Sequence, residues 1–117
     1  MYSFGPSVGK HIDRFGSDFL LSPLTDPDGV ARVACFHLSA GSVVGEHEAI
    51  TGQMFCVMDG EGWVAGSEGK RLSIGRHEAA YWAPGEVHSA GTESGLTAIV
   101  MEGNDFRVWA KPPDPGA

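Results

Sequence analysis

Apolar and polar residues alternate along Ala31–Leu38, with Arg32, Ala34, Phe36 and Leu38 on one face of an extended chain and Val33, Cys35 and His37 on the other. The alternation predicts a strand but leaves open which face turns inward. Residues 53–58 read as a second strand, Asp59-Gly60-Glu61-Gly62 as a turn, and residues 63–65 as the strand that follows it. Gly66-Ser67-Glu68-Gly69 turns the chain again, residues 72–74 resume it, and Gly75-Arg76 turns it once more. Ala79–Trp82, residues 96–101 and residues 106–109 complete the predicted strands. No stretch of helical length keeps a 3.6-residue apolar period, so the expectation is an all-β chain folded as an antiparallel sandwich or barrel.

Two of these strands are apolar on both faces. Gln53, Phe55 and Val57 oppose Met54, Cys56 and Met58, while Leu96, Ala98 and Val100 oppose Thr97, Ile99 and Met101. A solvated outer face would be polar, so something must cover it: the chain's own N-terminal strands or a second subunit, with a homodimer the expected form. LTDPDG, residues 24–29, is a Pro/Asp/Gly turn between early strands. KPPDPGA, residues 111–117, cannot join a ladder because proline lacks the donor, and it reads as a frayed tail. His11 falls in a start with no strand pattern.

Composition sharpens this. The 117 residues fit one domain, 1–117, with one core. Seventeen glycines, about twice the usual share, suit tight turns and disfavour helices. A formal charge of −7, from fifteen acids against eight scattered bases, excludes nucleic acid and an anionic membrane surface as natural partners. No apolar run approaches the roughly 18 residues of a membrane span, and MYSFGPSVGKHIDRFG has no apolar leader core. Cys35 and Cys56 lie in apolar runs and read as buried, reduced thiols. The expectation is a cytoplasmic protein whose partner is a small molecule.

The candidate chemistry lies in GSVVGEHEAITGQMFCVMDG, residues 41–60. Gly41-x5-His47-x-Ala49-x3-Gln53-x6-Gly60 resembles the first motif of the cupins, which normally reads Gly-x5-His-x-His-x3-Glu-x6-Gly. GRHEAAYWAPGEVH, residues 75–88, resembles the second, with Gly75, Pro84, Gly85 and His88 in place and the proline shifted by one position. The resemblance implies a small antiparallel double-stranded β-helix, the cupin or jelly-roll barrel. It also implies one divalent transition metal in the barrel mouth. Carried over by position, the metal ligands would be His47, Gln53 and His88, with Ala49 where a second histidine is expected. Two imidazoles and an amide oxygen suit a nitrogen-preferring ion (zinc, nickel or copper) better than the alternatives, iron or manganese. The carboxylate of the usual iron site is missing. Lewis-acid isomerase, lyase or cyclase work on a small carbonyl compound is therefore the expected chemistry, ahead of dioxygen activation.

Each of these residues also has a purely structural reading. A histidine is more often a hydrogen-bonded structural group than a ligand, and the Gln53 amide could bond the backbone or orient a substrate instead. His37 would replace the missing ligand if its face pointed inward. His77, beside the Gly75-Arg76 turn, is expected to be exposed. Glu46 and Glu48 flank His47 and should point outward if it points in. Glu86, two residues before His88, is the acid expected to reach the pocket and accept a proton. Phe55, Trp63, Tyr81 and Trp82 could line a pocket, although core packing accounts for them more simply. The alternative to a metalloenzyme is a non-catalytic binding or structural barrel whose metal is weak or absent.

Overall fold

The computed structural model describes residues 1–26, 28, 31–104, 107, 108 and 110. Nine strands are assigned among them: β1 Lys10–Ile12, β2 Phe19–Pro23, β3 Ala31–Leu38, β4 Val43–Glu48, β5 Gly52–Ala65, β6 Arg71–Gly75, β7 Ala79–Trp82, β8 Val87–Gly91 and β9 Leu96–Gly103. Every pairing is antiparallel. One sheet runs β1-β2-β3-β9-β5-β7 and the other β6-β5-β8-β4, so β5 belongs to both. The all-β expectation holds. His11, expected outside any element, lies in β1 opposite Leu20. The expected tail 111–117 lies outside the described residues, as do Phe106 and Trp109 of the expected strand 106–109, whose Arg107 and Val108 belong to no strand.

The expected turn at residues 59–62 does not form. β5 instead continues unbroken for 14 residues. Its register against β9 shifts between Val57 and Asp59, and Gly60 takes φ 81. Here a glycine cluster marks a bulge that bends a strand from one sheet into the next, not a reversal. Gly60 also serves close approach, since a Cβ there would stand 2.2 Å from the Gly95 carbonyl oxygen. The reversals expected at 66–69 and 75–76 do form, closed by Gly69 N–H to Gly66 O at 3.0 Å and Glu78 N–H to Gly75 O at 3.0 Å. Between β2 and β3, Asp28 N–H donates to the Asp26 carboxylate at 2.9 Å, the local bond that makes Asp a turn residue.

Both sheets feed one apolar cluster. Phe36 and Leu38 of β3, Phe55 and Val57 of β5, and Ala98 and Val100 of β9 form its floor, and Val44, Val64 and Ala90 close it from the other sheet. Phe19 lies against Phe36 at 4.5 Å between ring centroids, and Phe55 meets Phe36 edge-on at 6.4 Å. The Ala34/Phe36/Leu38 face of β3 is therefore the inner one. His37 is on the outer face, where its Nε2 lies 3.0 Å from the Phe4 carbonyl oxygen. Ser22, on the same side, donates to Gly5 O at 2.7 Å, so the N-terminal segment covers this part of the outer face. Met54 is buried too, while Met58 stays 51% exposed. Among the described residues, no helix is long and apolar enough to cross a membrane.

The bend in β5 can be tested against a turn glycine with a similar backbone. Gly60→Ala meets a backbone oxygen at φ 81, whereas Gly69→Ala, at φ 72, meets nothing within 4 Å. In urea unfolding, Gly69→Ala should lose about 1–2 kcal/mol, the left-handed penalty alone. Gly60→Ala should lose more than that, about 3 kcal/mol or over, through the added clash. Equal losses would show that the β5 bend does not depend on the close approach of Gly95.

Candidate metal and ligand site

β4 and β8 bring the two motif histidines together. His47 and His88 are directly opposed in the ladder, with ring centroids 4.3 Å apart and planes tilted by 58°. Strict alternation from the inward Val44 would turn His47 outward. The register shifts between Val44 and His47, and that irregularity returns His47 to the inner side while Glu46 stays exposed. Gly45 makes the shift possible. Its N–H donates to Ser17 Oγ at 2.9 Å, and a Cβ there would stand 1.6 Å from the Phe15 carbonyl oxygen. The Arg14–Gly16 turn packs into that space, with Phe15 in the left-handed region at φ 59. Phe15 stacks on His47 at 5.2 Å and 11°, although it is 62% exposed.

Hydrogen bonds determine which ring nitrogens are free. His47 Nδ1 lies 2.8 Å from Gly45 O and His88 Nδ1 lies 3.3 Å from Glu86 O. A carbonyl only accepts, so each Nδ1 carries the proton and each neutral ring presents an Nε2 lone pair. His88 is 1% exposed, and its Nε2 is buried without a hydrogen-bond partner among the described residues. Such an orphan acceptor costs about 1–3 kcal/mol if nothing fills the place. Trp82 stacks on the His88 ring at 4.3 Å and 20°. Burial pushes the His88 pKa down to about 4, and a charge on His47 would push the same way, while the Glu86 carbonyl and carboxylate oppose it in part. His88 therefore stays neutral and ready to donate its lone pair across the ordinary pH range.

Gln53 on β5 is buried at 4% exposure and lines a cavity of about 400 Å³ together with His47 and Ala49. Ala49, in the place of the expected second histidine, contributes only a methyl group to that wall. Its backbone ties the site to the turn before β8, through Ala49 N–H to Glu86 O at 2.9 Å and Gly85 N–H to Ala49 O at 2.7 Å. Among the described residues, no three His, Cys, Asp or Glu side chains are grouped to hold a metal ion. The donors present are thus the two imidazoles, with the Gln53 amide on the same cavity as His47. Neutral, correctly protonated imidazoles and a buried unfilled Nε2 fit a nitrogen-preferring ion, whereas a hard ion would want a carboxylate here.

The remaining candidates fall as follows. Glu86 precedes β8 and lies in the turn, where its Oε1 accepts the Ala83 N–H at 3.0 Å; it is not among the residues lining the cavity. His37 faces the opposite side of its sheet, and His77 is exposed beside its turn at φ 71. Phe55 and Trp82 are core, while Trp63 carries Arg71 over its ring at 3.8 Å. The reading of the motifs missed Arg14, Phe15, Arg32 and Glu102, all of which line the cavity. Two of them were within reach of the pattern. Arg32 shares the Phe36 face of β3, and Glu102 continues the inward series Leu96, Ala98, Val100 one step past the expected strand end.

Several solved structures similar to this one are described as cupins or cupin-like proteins. A cupin-like protein from Thermotoga maritima matches with a TM-score of 0.75 at 19% identity, over 90% of this chain and 81% of that one. A predicted oxalate decarboxylase from the same organism matches with a TM-score of 0.74 at 21% identity, over 86% and 96%. A double-stranded β-helix protein from Klebsiella pneumoniae matches with a TM-score of 0.69 at 17% identity, over 90% of each. No family model and no curated protein matches the sequence. The chain has the cupin fold, a small antiparallel double-stranded β-helix.

The buried imidazole has a consequence for stability in the metal-free protein. His88 titrates near its ordinary value of 6.5 when unfolded and about 4 when folded. Between those values the unfolded chain binds more protons, so stability is full above 6.5 and falls as pH drops toward 4. With chelator present, the parent should lose up to about 3 kcal/mol more than His88→Gln over that window. Parallel pH profiles from urea unfolding would show that His88 is not held neutral by burial.

Proposed function

We propose that this cupin binds a small organic molecule in the cavity beside His47 and Gln53, with a transition-metal ion held by His47, which lines the cavity, and the neighbouring His88. The observation that supports this most directly is the buried, unpartnered Nε2 of His88 beside a second imidazole of the same tautomer. Gln53 is the third donor, through its amide oxygen, and it is weaker than a carboxylate because it offers a dipole instead of a charge. When bound, zinc, nickel or copper would supply Lewis-acid polarisation of a carbonyl or enol oxygen. The chain's own residues do the rest. The backbone carbonyls of Gly45 and Glu86 hold the two rings in the ligating tautomer. Phe15 stacks on His47 and Trp82 on His88. Glu102, 31% exposed on the cavity wall, is better placed than Glu86 to take a proton from a ligand.

A second reading is a binding protein that works without a metal. The observation favouring it is the neutral donor set: with Ala49 and Gln53 in the first motif, nothing among these donors offsets a dication's charge. Metal analysis separates the two. Protein purified without an affinity tag and offered zinc, nickel or copper should hold about one equivalent, and His47→Ala or His88→Ala should lose it. Gln53→Glu should tighten binding by about tenfold or more, because it restores the charge. A parent that takes up none of these ions, with Gln53→Glu equally empty, would sink the metal reading and leave the binding protein.

A further inference from the structure

The charges on the cavity wall do not resemble those of the chain. Acids outnumber bases fifteen to eight overall, yet the wall carries Arg14 and Arg32 against Glu48 and Glu102. Two of these four are spoken for. Arg32 and Glu102 face each other across the β3–β9 ladder, with Nη1 and Oε2 3.6 Å apart. Glu48 leans toward the turn before β8, its Oε1 3.9 Å from where a Cβ on Gly85 would stand. Arg14, in the turn that carries Phe15, has no ion pair or side-chain hydrogen bond to another described residue. An unpaired guanidinium on a cavity rim is a ready partner for a carboxylate, which it can grip through two parallel N–H donors.

The inner end is different. His47 presents an Nε2 lone pair that accepts, and the uncharged Gln53 amide can both donate and accept, so the two suit a hydroxyl oxygen. Between the two ends the wall is apolar, with Phe19, Phe36 and Val44. The volume of about 400 Å³ is in the range of small-molecule sites. We infer that the ligand is a small hydroxy-carboxylic acid, its carboxylate on Arg14 at the rim, its apolar body against Phe19 and Phe36, and its hydroxyl donating to His47 Nε2 beside the Gln53 amide. The inference rests on the reading of this cavity as the ligand site, but it does not require the metal.

The probes are 4-(hydroxymethyl)benzoate and its primary amide, which share the hydroxyl and the apolar ring between the two polar ends and differ in the charge of the rim group. Binding is followed by tryptophan fluorescence or calorimetry on the full chain in chelator, at low salt. The carboxylate should bind about tenfold or more tightly than the amide, and added salt should shrink that ratio. Arg14→Gln should bring the two affinities together, and Arg14→Lys should keep part of the difference. Arg14 is exposed, so unchanged circular dichroism and thermal midpoint serve as the folding control. Equal affinities in the parent, a preference untouched by Arg14→Gln, or no binding of either probe would each overturn the inference. The outcomes separate from those for the metal. A carboxylate preference in a protein that takes up no ion removes only the metal. Metal uptake without the preference removes only the carboxylate.

Discussion

β5 hydrogen-bonds to four other strands, β6, β7, β8 and β9, and the rest of the barrel is arranged around that fact. A flat strand could not do this, because its two edges would stay in one sheet. The bend at Asp59–Gly60 turns the second half of β5 out of the first sheet and into the other. Gly62, next along, has the Gly91 carbonyl oxygen 2.1 Å from where a Cβ would stand, so the crossing is a second place where backbone packs against backbone. Gln53 at one end of this strand and Trp63 near the other are thereby held on different sheets. The cavity opens beside the Gln53 end.

The histidine pair depends on a second irregularity of the same kind. β4 would present Glu46 to the interior if its alternation ran true, and an unpaired buried carboxylate is among the most costly groups to enclose. The shift before His47 exchanges that for an imidazole that can be buried neutral. The neighbouring imidazole is less well served, because the His88 Nε2 lacks a partner among the described residues. The aromatic contacts from Trp82 and Phe15 hold the rings in place but supply no hydrogen bond to that nitrogen. Phe15 itself keeps a left-handed backbone that bulky residues avoid, a cost of order 1–3 kcal/mol borne at the mouth of the cavity. Strain and an unsatisfied buried acceptor thus occur within one short stretch of the barrel, where sites are commonly found.

Much of the barrel was legible because period-two patterning survives wherever a strand is flat and buried on one side. β3 and β9 read directly from their alternation, and the Gly66–Gly69 and Gly75–Arg76 reversals from their glycines. Legibility failed where a glycine had two uses. Asp59-Gly60-Glu61-Gly62 has the composition of a hairpin, and only the neighbouring Gly95 and Gly91 carbonyls, far off in sequence, make it a bend. The inward placement of His47 was not visible in alternation either. The spacing resemblance supplied it, because that spacing already contains the irregularity. β1 escaped notice since three residues with exposed Lys10 and His11 show no apolar period. Phe15 and Arg14 escaped it for a related reason, as a residue that reaches the cavity from a turn has no period to follow.

Gln53 shows how the fold and the site have become separable. At 4% exposure, a glutamate in its place would be a buried charge, and the barrel would then lean on a cation to offset it. A neutral amide removes that dependence, so the core around Phe55 and Trp82 can close whether or not an ion is present. Ala49 acts in the same direction, since it replaces a second ligand with a methyl group buried in the apolar cluster. The liability left inside, among the described residues, is the lone pair of His88, and an ion, a water or a ligand hydroxyl could each satisfy it. What meets that nitrogen is therefore not set by what the fold needs in order to stand.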